Sequence, residues 1–428
     1  MKKILLCLIL LLSVITGAVL MYFNAVYVYP QTIQIRYESI ASQQIPEDLD
    51  GLQILFSYAA GAIGTTQMIP YLVEMGFEGT RKGIILSAMA ISTLISQFLF
   101  GYLSDKFKGC RWFFLISFFV FFVADVTLFS FRWPQFWYLL AMISLTGGIA
   151  RTWQGLEDTW VLQIDQTKPQ YSRIHAWGAL GWAIGSWAAA SLLNWFDFPV
   201  IATLVFVTST VTLFFAWRQQ DAKRASGKRI RIADLKELLH NRAYVLLVLI
   251  LLVLFGMGTA DMYIVVDKIL AIGGTSFHVG AKWGLQSLME IPVLLAGDKL
   301  MKKMDPVILM LFASVMFGIR FVIYSWIQNP WWMIAAAVLQ MVTFPIVIIS
   351  SKIMIDQIIS EKIKSSGQMA AMSVYMGLSL LIMPVFCSAL SERIGYDAAL
   401  LVVAAFSLAA IVLILLFKKA RKALSLQA

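Results

Sequence analysis

The apolar residues of this chain fall in blocks of about 20, the length a helix needs to cross a bilayer, separated by short polar connections. That pattern allows few folds. Spans are predicted near 4–23, 52–72, 83–104, 112–131, 135–161, 174–194, 199–217, 243–266, 281–300, 306–327, 332–355, 368–390 and 398–417. No apolar/polar alternation is sustained, which argues against a β-barrel. Only 14% of the 428 residues are charged, against about 25% in soluble domains. The fold class is therefore all-α and membrane-embedded.

The net charge of +10 is a statement about topology before it is one about partners. Basic residues gather in alternate connections: 106–111, 168–173, 218–242, 299–303, 361–364 and 418–422. About 23 Lys and Arg lie on that side and about 6 on the other. The positive-inside rule puts the rich side, including the C-terminus, in the cytoplasm. No nucleic-acid partner is expected. Cys7, Cys110 and Cys387 are far apart and lack metal-ligand spacing, so neither a disulfide framework nor a metal site is expected.

The last twelve spans divide six and six about the basic stretch 218–242, within which ADLKELLHN reads as a short surface helix. This predicts a segment 1–51, a half 52–217, a loop 218–242 and a half 243–428. Two similar halves place a site between them near the midplane. A faint repeat supports the division, since GYLSDKFKGC and GDKLMKKMDP each follow the second span of a half.

GYLSDKFKGCR at 101–111 is the most specific motif. A carboxylate in such a connection can accept from a helix N-terminus or pair with a cation, latching that face. Gly101 permits close helix approach. The motif resembles the major facilitator superfamily signature between the second and third helices. The wider stretch 83–116 is similar to oligosaccharide:proton symporters of the lactose permease type. The resemblance covers 52–428 and implies two six-helix bundles and a cytoplasmic gate at Gly101, Asp105, Lys106 and Arg111.

Other motifs extend it. YSRIHAWGALGW at 171–182 resembles the family pattern YGRxRxWGxxGW, which puts Trp182 where these transporters stack a sugar ring. The second Arg of the pattern, which holds sugar hydroxyls in the family, is His175 here. The span ending ARTWQGLEDTWVLQID brings Arg151, Glu157 and Asp158 towards one side of a cavity. An unpaired charge within a span costs roughly 2.5–3.5 kcal/mol on insertion scales, so three in one span favour a functional cavity over a structural pair. Substrate binding is thus expected at Arg151, Glu157, Asp158, His175 and Trp182.

In the second half, Glu290 and Arg320 stand alone in consecutive apolar spans, where the family keeps a Glu and an Arg. A nearby guanidinium favours the ionised carboxyl and burial the protonated one, so their separation can govern a proton. LQMVTFPIV at 339–347 departs from the family, with Gln340 and Thr343 where lactose permease-like proteins carry a coupling His and Glu. Proton coupling is therefore expected at Glu290, Arg320 and Asp261, with Glu157 and Asp158 as further acids. Asp125 has no assigned role.

The N-terminal 54 residues resemble the leader of membrane-anchored calcineurin-like metallophosphoesterases. PEDLDG at 46–51 reads as a turn-forming segment, with a change of character near 54–56. The metal-ligating Asp-x-His of those enzymes is missing, so no enzyme is expected. Lys2 and Lys3 favour an inside N-terminus, which conflicts with helix 52–72 starting inside; a fusion near residue 55 accounts for the conflict. The expectation is a cofactor-free, monomeric transporter in the plasma membrane, a bacterial inner membrane, taking up a sugar-like solute with protons. Export of amphipathic compounds, or an inactive fusion, is the alternative.

Overall fold

A computed structural model describes residues 41–107, 109–163, 171–219, 221, 240–358 and 364–425. Span 4–23, and most of the loop that includes ADLKELLHN, lie outside the described residues. The chain forms two compact units, Met1–Leu49 and Asp50–Ala428. Among the described residues all the elements are helical: α1 Ala41–Glu74, α2 Gly79–Phe107, α3 Arg111–Phe131, α4 Phe136–Gln163, α5 Tyr171–Leu193 and α6 Pro199–Arg218. After the basic loop come α7 Arg242–Ala271, α8 Ser276–Lys303, α9 Pro306–Trp326, α10 Pro330–Ala336, α11 Phe344–Ile358 and α12 Lys364–Ser425.

The ends of these helices follow local chemistry. Asn241, Asp305 and Asn329 cap α7, α9 and α10 by accepting backbone N–H groups, and proline stands in the first turn of α6, α9 and α10. The two spans predicted at 368–390 and 398–417 run together as α12, broken at Gly395 with φ 79° and ψ 164°. Those angles suit glycine because it has no Cβ to clash. The predicted span 332–355 is also discontinuous. A 3-10 turn, Ala337–Val342, separates α10 from α11. Pro345 then opens α11, where its missing N–H does no harm.

One expectation fails at the start of α1. PEDLDG is helical, and no element boundary falls near 54–56. Gly51 is not a turn residue but a contact: a β-carbon there would lie about 3.0 Å from the Trp177 ring.

Close helix approach depends on small residues. A β-carbon on Gly181 would collide with the Leu55 carbonyl, and one on Gly185 with the Ala59 carbonyl. Gly181 and Gly185, four apart on α5, thus let its backbone touch that of α1, as in GxxxG packing. Gly280 and Gly284 of α8 likewise receive Ala190 and Trp187 of α5. Gly83 brings α2 against Pro384 and Val385 of α12. Within the first half, Phe114, Phe118 and Phe121 pack their rings around the buried Trp153.

Candidate functional site

Four helices position the polar groups of the first half. Glu157 (α4) is buried and turned towards α1, where Ser57 donates to both carboxylate oxygens at 3.0 and 2.8 Å and Gln53 donates at 3.0 Å. Gln53 and Ser57 are four residues apart, one above the other on the same helix face. Asp158 turns instead to α5, 3.4 Å from His175 Nδ1, and the His175 ring meets Tyr58 edge to face. Arg151 reaches across the molecule to α7, its Nη2 3.8 Å from Met262 Sδ. The three charges predicted to share one side of a cavity therefore point to three different helices.

The second half holds a connected buried network. Asp261 Oδ1 accepts from Arg320 Nη2 at 2.9 Å, and its Oδ2 from Lys282 Nζ at 2.7 Å and Gln286 Nε2 at 2.8 Å. The same guanidinium donates through Nη1 to Gln340 Oε1 and Thr343 Oγ1, and through Nε to the Tyr324 hydroxyl. Gln340 Nε2 donates to Glu290 Oε1 at 2.6 Å. Arg320 and Lys282 are fully shielded from solvent, so desolvation is offset only by this pairing. Glu290 and Arg320, whose separation was expected to govern a proton, are joined by the Gln340 amide. Asp261 holds the guanidinium instead. Gln340 and Thr343, read as lost coupling positions, are both ligands of Arg320; Gln340 lies within the 3-10 turn between α10 and α11 and Thr343 directly follows it.

Between the halves lies a cavity of about 30 Å³ lined by Thr65, Thr66, Trp182, Met262, Tyr263 and Trp283, among others. On the side where α2 begins and α7 ends, the halves are sealed. Lys82 Nζ is 2.5 Å from Asp267 Oδ1, both almost fully buried, and the backbone and hydroxyl of Thr80 donate to Glu392.

The gate motif has only one described side chain. Gly101, Asp105 and Lys106 lie in α2, but their side chains are outside the described residues. Arg111 Nη1 donates to the Gln219 carbonyl at 3.0 Å. The acid found at the α3 N-terminus is Asp221, whose Oδ1 accepts from the backbone of Cys110 and Arg111. Asp125 is fully buried, faces Gly64, and has no hydrogen-bond partner among the described residues.

Lys282, Gln286, Lys82, Asp267, Gln53, Ser57 and Asp221 were not singled out from sequence. The spacing of Lys282, Gln286 and Glu290, four apart on one helix face, was an available signal. Among the described residues no group of three His, Cys, Asp or Glu side chains is placed to hold a metal.

Comparison with known proteins agrees with this architecture. The chain is 24% identical to the maltose permease of Geobacillus stearothermophilus over 290 residues, 67% of this chain and 72% of that protein. Its fold matches the crystal structure of the nucleoside transporter NupG with a TM-score of 0.73 at 14% identity, covering 89% of this chain and all of that one. A point variant of the same transporter matches with a TM-score of 0.68 at 15% identity, covering 87% and 98%. The MFS_1 like family model matches residues 52–382, which leaves the first 51 residues outside it. The chain therefore belongs to the MFS_1-like family, and is a multi-pass membrane transporter of the major facilitator superfamily and not an enzyme.

Proposed function

We propose that this protein takes up a small polar solute, sugar-like in size, together with protons, by rocking 52–217 against 243–428 in the plasma membrane of a bacterium. The observation that carries the reading is the buried chain Lys282–Asp261–Arg320–Gln340–Glu290, set beside a cavity to which both halves contribute. Helices that must cross a bilayer do not keep several charges without a use for them. Asp261 accepts three side-chain donors and is held as the anion of the network. Glu290 has the Gln340 amide as its partner. Its charge is thus the one that can be lost to a proton while Arg320 keeps its counter-ion. The amide bridge transmits that change to Arg320 and to the 3-10 break behind Gln340. Trp182 offers a flat face to the solute, and Arg151, Glu157, Asp158 and His175 supply polar contacts once the halves part.

The positive-inside pattern supports a cytoplasmic C-terminus. The Lys82–Asp267 seal then closes the outer side. The reading is tested with purified protein in liposomes and radiolabelled maltose, glucose, uridine and glucuronate, with and without an inward proton gradient. Accumulation of one of these above its equilibrium level, only when the gradient is present, supports it. Equilibration unaffected by the gradient removes the proton coupling, and no movement of any solute by inserted protein removes the transport reading.

A further inference from the structure

We infer that the transported solute bears a carboxylate and that Arg151 receives it. This rests on the transport reading and narrows it. Asp125, buried against Gly64, lacks a hydrogen-bond partner among the described residues, but the other charges within these spans have one: Glu157 has Ser57 and Gln53, Asp158 has His175, and Asp261 has Lys282 and Arg320. Glu290 has Gln340, and Lys82 has Asp267. Arg151 differs. Its hydrogen-bond contact among the described residues is a thioether sulfur 3.8 Å away, a weak acceptor for a guanidinium. An arginine embedded in a span without an anion is unfavourable, and an anion that enters with the solute relieves it.

A second observation points to the same place. Met262, which Arg151 touches, and its neighbour Tyr263 both line the cavity. The Tyr263 hydroxyl is buried, with the residue 3% exposed, and has no hydrogen-bond partner among the described residues. Tyr263 also lies within electrostatic range of Arg151. The Arg151 guanidinium, against the cavity-lining Met262, and the unused phenol of Tyr263 beside it make a donor set for two oxygens. A planar carboxylate fits the fork bidentately, where a lysine would offer only a point charge.

The charge balance favours a monoanion. Glu157 and Asp158 follow Arg151 on the same helix within two turns, and their negative charge disfavours a dianionic phosphate. The rest of the cavity wall presents indoles at Trp182 and Trp283, flat faces for a ring that carries the carboxylate.

The test uses the full chain in liposomes with matched probes: glucuronate against glucose, benzoate against benzamide, and glucose 6-phosphate. The expected result is that a carboxylate is taken up in strong preference to its neutral partner. Arg151→Gln should weaken that carboxylate's apparent affinity about 10- to 100-fold, Arg151→Lys less, and Tyr263→Phe about 2- to 10-fold. Tyr263→Phe removes one oxygen and guards against misfolding of the arginine variants. Uptake of neutral partners as readily as carboxylates, or a carboxylate preference unchanged in Arg151→Gln, overturns the inference while leaving transport standing. Preference for glucose 6-phosphate that depends on Arg151 overturns the carboxylate assignment in favour of a phosphoryl group. If inserted protein moves no probe in either direction, the transport reading falls and this inference with it.

Discussion

Asp267→Asn should open the side of the molecule that Lys82 now seals. The pair spans the two halves at 2.5 Å, with side-chain exposures of 4% and 5%. Removing one partner leaves the Lys82 ammonium buried without a counter-ion, a change that costs about 3–5 kcal/mol at buried pairs. That cost applies only while the seal is closed, because parting the halves returns both groups to water. At 1.4 kcal/mol per factor of ten, the closed-to-open ratio falls roughly 10²- to 4 × 10³-fold. Cys387 provides the readout. It is 1% exposed, lies within electrostatic range of Asp267, and neighbours the contact of Pro384, Val385 and Ser388 with Gly83. In a Cys7→Ser/Cys110→Ser background, in detergent, maleimide should modify Cys387 at least tenfold faster in Asp267→Asn than with Asp267 present. Replacing both partners, Lys82→Met with Asp267→Leu, should slow the reaction again, since a buried pair exchanged for apolar groups is often neutral. An unchanged rate in Asp267→Asn, or a double variant as fast as the single, would refute the claim that this pair holds the seal.

Three further outcomes follow from the packing. Asp261→Asn leaves Lys282 and Arg320 short of an anion and should lower stability by about 3–5 kcal/mol, read as a reduced unfolding temperature in detergent; adding Lys282→Met should recover part of it. Gly181→Leu forces α5 away from the Leu55 carbonyl and should cost roughly 1–3 kcal/mol by the same measurement, with Leu55→Ala giving no rescue because the clash is with backbone. Asp221→Ala uncaps α3 at a cost of about 0.5–2 kcal/mol, which hydrogen exchange should report as faster exchange at Cys110 and Arg111 and little change at the far end of the helix.

The spans were legible in the sequence because the bilayer imposes a length and a polarity that leave few readings. Their ends fall within a few residues of α2 to α9, and Gly395 breaks α12 where two spans were expected. The start of α1 was misread because acidic and amide residues at 43–48 suit a helix as well as a turn. The single charges inside apolar spans, Glu290, Arg320, Asp261 and Arg151, announced themselves. The partners did not. Lys82, Lys268 and Lys282 lie at predicted span ends, where lysine ordinarily snorkels to water. Here all three are buried in ion pairs. Gln340 was legible only as a departure from a family pattern, whereas its place between Arg320 and Glu290 depends on a helix break that no periodicity reveals. Asp221 was hidden in a loop whose positive charge drew attention to topology.

We propose that protonation of Glu290 links the proton gradient to the solute. It is tested most directly by comparing accumulation with exchange, for whichever panel solute the unaltered protein concentrates. Glu290→Gln keeps the size of the side chain and removes its titration. This variant should exchange labelled for unlabelled solute across liposomes yet no longer accumulate it under an inward proton gradient. Gradient-driven accumulation at the unaltered level in Glu290→Gln would contradict it.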